Sequence, residues 1–259
     1  MHMDKTALVT GASNGIGEAF ARLLAKNGFD LMLTARSSDR LADLARELER
    51  EHGVTVRWEG VDLAAPDGPE RIQAACIMAD MNVDLLVNNA GFGAYGRFLE
   101  IDHRESEAML RVLIGSLTEL TYRFLPGMIE RGRGGVLNVG STGSLIPCPN
   151  MAVYCAAKAY VLSFTEALSV ELRGSGVTAT ALLPGNTGTG FAARAGTGRT
   201  LVARYLPMTP ETVARIGFRA LARKRPVVVA GCLNALQMRL VGVMPRCMVR
   251  AAARFALKA

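Results

Sequence analysis

The chain is poor in the residues that staple small folds or hold metals. Its five cysteines, Cys76, Cys148, Cys155, Cys232 and Cys247, are odd in number, scattered, and lack Cys-x-x-Cys spacing. That excludes a readable disulfide frame or zinc site and favours a reducing interior. No metal is expected. Histidine is scarce, and His103 reads as a surface residue at a helix start. No stretch of about 18 residues is both uncharged and strongly apolar, so no membrane-spanning helix is expected. Met1-His2-Met3-Asp4-Lys5 runs directly into an apolar segment and shows no signal peptide. A cytoplasmic protein is the expectation. Acidic residues are missing from Thr212 to Ala259, a stretch with ten Lys or Arg. The preceding 211 residues carry 20 basic and 23 acidic side chains, so the net charge of +7 belongs to the tail. A solvated helix face or subunit contact would accommodate that charge. So would an anionic partner such as a phosphorylated cofactor, a lipid surface or an acidic carrier. No nucleic-acid partner is expected.

What is present is a large apolar fraction, half of 259 residues. That suits one α/β domain with a well-buried core. Short apolar runs alternate with helical patterns along the chain. Runs at 6–9, 30–35, 54–58, 83–87, 135–139, 177–183 and 226–229 predict seven strands. The alternation predicts a doubly wound, mostly parallel sheet with helices on both faces and a C-terminal helical extension.

The first strand leads into Thr10-Gly11-Ala12-Ser13-Asn14-Gly15-Ile16-Gly17 and then a helix. Strand, glycine-rich turn and helix form the setting in which a dinucleotide pyrophosphate meets backbone N–H groups. Gly11, Ser13, Asn14, Gly15, Ile16 and Gly17 are therefore candidate cofactor contacts. The second strand ends at Ala35-Arg36. An acidic residue there would hold a ribose 2′-hydroxyl, whereas an arginine accommodates a 2′-phosphate. Arg36 thus favours NADP(H) over NAD(H). Asp62 and Leu63 end the third strand, where the carboxylate can accept from the adenine amine or cap the next segment. Asn88-Asn89-Ala90-Gly91 follows the fourth strand, and Asn89 and Gly91 can accommodate the adenine–ribose half.

Ala152 to Arg173 reads as a helix without Gly or Pro, and it carries Tyr154 and Lys158 four residues apart. Residues so spaced share a helix face. An ammonium about 4 Å from a phenol is worth roughly 4 kcal/mol at an effective dielectric of 20, or about three pKa units. The pair can bring a tyrosine into use as a proton donor or acceptor near neutral pH.

Thr-Gly-x-x-x-Gly-Ile-Gly at 10–17, Asn-Asn-Ala-Gly at 88–91, Ser141, Tyr154-x-x-x-Lys158 and Pro184-Gly185 occur in one order and spacing. In this the chain resembles the short-chain dehydrogenase/reductase family over residues 5 to about 190. The resemblance implies a Rossmann fold, a nicotinamide cofactor and carbonyl/alcohol chemistry. It implies that Ser141 binds the substrate oxygen, that Tyr154 moves the proton, and that Lys158 assists it and holds the nicotinamide ribose. It further implies that Pro184 and Gly185 line the nicotinamide, that Thr187 and Thr189 bind its amide or the phosphates, and that residues 190–206 form a substrate lid, although that segment, rich in Gly, Ala, Arg and Thr, reads equally as a disordered surface loop. The family's helical Asn, which holds a relay water, is replaced here by Leu113. That departure predicts a slower or rewired proton relay.

The expected function is NADP(H)-dependent interconversion of a carbonyl and an alcohol, on a small, apolar substrate, by a homo-oligomer. A non-catalytic NADP(H)-binding sensor or scaffold is one alternative, and a membrane-surface lipid reductase is another. The segment 232–259 bears on the last of these. It reads as two apolar helices broken at Pro245, with Arg246, Arg250 and Arg254 on one stripe and Met248, Val249 and Phe255 off it. Such a helix can lie on an anionic membrane. Packing over the substrate pocket or against another subunit is the favoured expectation.

Overall fold

The computed structural model describes residues 5–196 and 207–256. Seven strands form one sheet in the order β3-β2-β1-β4-β5-β6-β7. They are β1 (Lys5–Thr10), β2 (Phe29–Ala35), β3 (Val56–Gly60), β4 (Val83–Asn88), β5 (Gly134–Val139), β6 (Val177–Leu183) and β7 (Val227–Val229). Every pairing is parallel, so the sheet is wholly rather than mostly parallel.

Parallel strands joined by helices are covered on both faces and read as continuous apolar runs. β1 shows why. Side chains alternate across a strand, so Ala7 and Val9 enter one core while Leu8 enters the other. On the first face, α1 (Gly15–Lys26), α2 (Ser38–His52) and α8 (Pro210–Ala222) supply Phe20, Leu24, Leu41, Leu48 and Val213. On the second, α3 (Gly68–Met78), α5 (Leu117–Glu130) and α6 (Ala152–Glu171) supply Ile72, Leu120 and Leu168. The strand order reverses between β1 and β4, and such sheets open a crevice there beyond the carboxyl ends of the strands.

The sequence from His103 to Arg131 reads as one long helix bent near Pro126, but in the structure it is interrupted. α4 (His103–Leu110) runs into a π-helical turn at Arg111–Ser116 before α5 begins. π-turns inside α-helices occur frequently at functional sites. Two short helical pieces lie outside the predicted pattern: a 3₁₀ turn at Thr142–Leu145 and α7 (Phe191–Ala195). The tail forms α9 (Cys232–Val243) and α10 (Arg246–Ala256), split at Pro245 as its sequence predicts. Of the expected lid, residues 197–206 lie outside the described residues, as do 257–259 of the tail and the first four residues.

One polar chain crosses the second core. The Asn88 amide donates to Thr121 Oγ1 at 3.2 Å and to Asn138 Oδ1 at 2.9 Å. The Asn138 amide donates to Thr165 Oγ1 at 2.9 Å. All four residues are buried. The chain ties β4 and β5 to α5, which follows the turn holding Leu113, and to α6, which carries Tyr154. Asn88 therefore serves the core, while its neighbour Asn89 turns to the cleft.

Candidate active site

The carboxyl ends of the strands open onto one cavity of about 480 Å³. It is lined by Gly11, Ser13, Asn14, Gly15, Ile16, Arg36, Asp62, Leu63, Asn89, Gly91, Ser141, Tyr154, Lys158, Pro184, Gly185, Thr187 and Thr189. Gly17 is the one expected cofactor contact that does not line it. A Cβ at Gly17 would collide with the Gly11 carbonyl oxygen, so this glycine seats α1 against the turn.

The residues fit a dinucleotide. Gly15 has φ +57°, and a Cβ there would lie 2.9 Å from Thr189 Cγ2, so the bare backbone keeps the passage open. Thr10 Oγ1 accepts from the Asn89 and Ala90 amides, each at 3.0 Å, while the Asn89 side-chain amide donates to the Thr10 and Gly11 carbonyls. These bonds fix the glycine turn against the end of β4. Arg36 is exposed on the cavity rim and pairs with no carboxylate among the described residues. Asp62 Oδ1 accepts from the Ala64 amide at 2.9 Å, so it does cap its loop, and it also reaches the cavity wall.

Ser141 follows β5 and caps the 3₁₀ turn. Its Oγ accepts from the Gly143 amide at 3.0 Å, and Ser144 Oγ accepts from the Ser141 amide at 3.2 Å. This reciprocal box fixes the rotamer. The Ser141 hydroxyl also hydrogen-bonds Tyr154. Tyr154 and Lys158 share a buried face of α6. Lys158 Nζ donates to the Val139 carbonyl at 2.6 Å and lies 5.9 Å from the centre of the Tyr154 ring.

The electrostatics differ from the simple expectation of a lowered phenol. Burial raises the Tyr154 hydroxyl above its ordinary value, with the Ser141 hydrogen bond opposing the rise. Burial also pushes Lys158 down from 10.5 to about 8. Burial is the largest influence on both groups, because each charged form loses its water. An ammonium about 6 Å from a phenolate is worth roughly 3 kcal/mol at an effective dielectric of 20. Lys158 therefore favours the phenolate when it forms without making it the resting state.

The apolar side of the cavity comes from segments whose geometry the sequence does not fix. Phe92, Ile146, Cys148, Met151, Phe191 and Ala253 line it. The Phe191 ring packs against Tyr154 with centroids 5.3 Å apart. Arg194, one turn further on, stacks its guanidinium 4.6 Å from the Phe92 ring centre. Arg194 is held below the ordinary arginine range by partial burial and then by Arg36, against the pull of Glu105 and Asp62. Two cations thus meet at the cavity rim. Cys148 and Cys155 are scattered in sequence yet hydrogen-bonded here. The Cys155 thiol draws Cys148 down, while Cys148 and burial push Cys155 up. Seven-residue spacing across a helix start gave no signal for that meeting. Among the described residues no cluster of His, Cys, Asp or Glu could hold a metal.

The profile of the short chain dehydrogenases matches residues 5–200, well over half of the chain. The chain belongs to that family. Among curated relatives in the family, the very-long-chain 3-oxoacyl-CoA reductase of Homo sapiens is 34% identical over 182 residues, covering 69% of this chain and 58% of the relative. The match spans little more than half of that relative's length. A short-chain dehydrogenase from Sphingobium yanoikuyae in complex with NADPH superposes with a TM-score of 0.82 at 30% identity, covering 93% of this chain and 97% of the other. A family member from Burkholderia phymatum in complex with NAD gives a TM-score of 0.82 at 26% identity, covering 92% of each chain.

Within the short-chain dehydrogenase frame, Leu113 is the departure that stands out. It sits buried in the π-turn and packs in one cluster with Tyr154, Met151 and Cys155. A Cβ at Gly91 would lie 2.6 Å from Leu113 Cδ2, so the leucine fills the wall behind the cavity. The turn forms without a side-chain amide at its centre.

Proposed function

We propose that this chain is an NADP(H)-dependent oxidoreductase that interconverts a carbonyl and an alcohol on a 3-oxoacyl thioester with a long apolar chain. The observation that carries the reaction is the convergence of Ser141, Tyr154 and Lys158 on one cavity with the glycine turn and Arg36. The apolar wall of Phe92, Ile146, Met151 and Phe191 supports a lipid-like substrate, as does the acyl-CoA reductase activity named for the relatives. When bound, the nicotinamide dinucleotide supplies the hydride.

The chain's own residues supply the rest. Ser141, oriented by Gly143, donates a hydrogen bond to the substrate oxygen and steadies the developing alkoxide. Tyr154 is protonated at neutral pH, as an ordinary tyrosine is, and burial favours that form further, so it can act as the acid in reduction. Lys158 stabilises the resulting phenolate. Phe191 covers the Tyr154 ring and excludes water from the proton transfer. Residues 190–206 act as the substrate lid in this reading, and a homo-oligomer is the assembly it favours. Exposed Tyr122, Tyr160 and Val170 on α5 and α6 support self-association.

NADPH oxidation with a series of 3-oxoacyl-CoA substrates tests the reading. The expected result is kcat/KM that rises with acyl length. NADPH binding without turnover of any ketone, aldehyde or acyl substrate would favour the sensor or scaffold reading, for which Leu113 is the supporting feature.

Two substitutions refine it. Arg36→Ala weakens NADPH by about 2 kcal/mol, roughly thirtyfold, and leaves NADH nearly unchanged; equal losses in fluorescence titration would defeat the 2′-phosphate assignment. Leu113→Asn raises turnover by restoring an amide beside the relay, and lowers stability by on the order of 3 kcal/mol through lost apolar packing. Unchanged kcat in the folded variant would show that this side chain plays no part in proton delivery.

A further inference from the structure

The last two helices are the least satisfied part of the surface. Residues 232–256 are about a tenth of the described chain, yet they hold six of its sixteen large exposed apolar side chains. On α9 these are Leu233, Leu236, Leu240 and Val243, at spacings of three, four and three that place them along one side. Leu233 and Val243 are 84% and 82% exposed. On α10, Val249 and Ala253 turn inward and are buried, while Met248 and Phe255 remain exposed. Arg246, Arg250 and Arg254 run along the other flank of α10, four residues apart. Arg239 adds a fourth exposed cation on α9, and neither helix contains an acid.

The two helices also border the cavity. Ala253 lines its wall. α9 is anchored against the strand end that carries Pro184 and Gly185. There the Asn234 amide donates to the Ala230 carbonyl at 2.7 Å, and a Cβ at Gly185 would lie 2.5 Å from Asn234 Nδ2. Whatever covers α9 and α10 therefore sits beside the cavity.

We infer that α9 and α10 form a docking face for an anionic lipid bilayer. Burying leucine, valine, methionine and phenylalanine at the acyl boundary while arginines reach the headgroups is the physics of an interfacial helix. Each arginine near an anionic surface adds about 1 kcal/mol of attraction. A second copy of the chain fits less well. A two-fold contact places each patch against itself, and this one would oppose arginine to arginine with no carboxylate from the segment. An acidic protein would match the charges but not the exposed leucines. No helix among the described residues is long and apolar enough to cross a membrane, so the contact is peripheral. The inference stands apart from which carbonyl is reduced, because it concerns only where the cavity is presented.

Flotation of the full chain tests it, with vesicles of phosphatidylcholine alone and of phosphatidylcholine mixed with phosphatidylserine. The expected result is flotation with the mixed vesicles, weakened by salt, and little with phosphatidylcholine alone. Arg250→Glu with Arg254→Glu, and separately Leu236→Glu with Leu240→Glu, each lower the bound fraction at least about tenfold. NADPH binding and turnover of a short soluble ketone stay at the native level in both, which separates failure of docking from failure of catalysis. If the glutamates impair folding, Leu233→Ser with Val243→Ser repeats the test at the two most exposed positions. A native chain that stays with neither vesicle, or that binds both alike, overturns the inference. So does a leucine variant that changes the sedimentation coefficient without changing flotation, because the face would then join copies of the chain.

Discussion

Tyr154→Phe lowers turnover by roughly a thousandfold and leaves NADPH binding intact. The ring remains, so the stacking against Phe191 and the packing with Met151 and Cys155 persist. Only the hydroxyl is lost, along with its hydrogen bond to Ser141. The variant thus separates the proton from the shape of the cavity. Single-turnover measurement with NADPH and a 3-oxoacyl substrate, beside a fluorescence titration of the cofactor, provides both readouts. Native turnover in the folded variant would remove Tyr154 from the chemistry and transfer the acid role to Ser141 or water.

The second large effect concerns stability as well as rate. Lys158→Met abolishes turnover and also removes one contribution to the dependence of stability on pH. Lys158 has a pKa of about 8 in the folded chain against an ordinary 10.5. Between those values the unfolded chain binds more protons than the folded one, so native stability rises with pH through that window. Below about 8 both states are protonated, and the full penalty of burying the ammonium remains. The difference corresponds to on the order of 3 kcal/mol. Methionine fills the space without charge, but it leaves the Val139 carbonyl without its donor, at a cost of about 1–3 kcal/mol. The two nearly offset at neutral pH. Burial also raises the Cys76 and Cys155 thiols, which pulls stability down above about pH 9 in both chains. The diagnostic is therefore the difference between the two chains: the melting temperature of the native chain gains on that of the variant from pH 8 towards 10. The raised phenol of Tyr154 acts alike in both. A difference that stays constant over that window would show that Lys158 is already well solvated.

These two residues were legible in the sequence because helix geometry alone puts positions four apart on one face. The strands were legible for a similar reason. β1, β4 and β6 are buried on both sides, so apolar residues dominate them and they stand out as runs despite buried polar members such as Asp84, Asn88 and Thr180. Other features leave no such trace. The π-turn at Arg111–Ser116 is a change of backbone hydrogen bonding inside an uninterrupted helical pattern, and Gly115 is its only mark. Phe191 meets Tyr154 through a chain reversal after β6, so neither residue predicts the other. The sign of the Tyr154 shift depends on how deeply the pair is buried, which spacing does not reveal. Spacing fixes which groups meet; solvent access decides which protonation state wins.

The amide–hydroxyl chain through Asn88, Thr121, Asn138 and Thr165 constrains how this protein can change. Each member satisfies a neighbour that no water reaches, so losing any one strands a polar atom in an apolar setting. Swapping the whole set for hydrocarbon of equal volume avoids that orphan. Substitutions at these four sites are therefore tolerable as a group and harmful singly, and the accessible path between variants runs around this part of the protein.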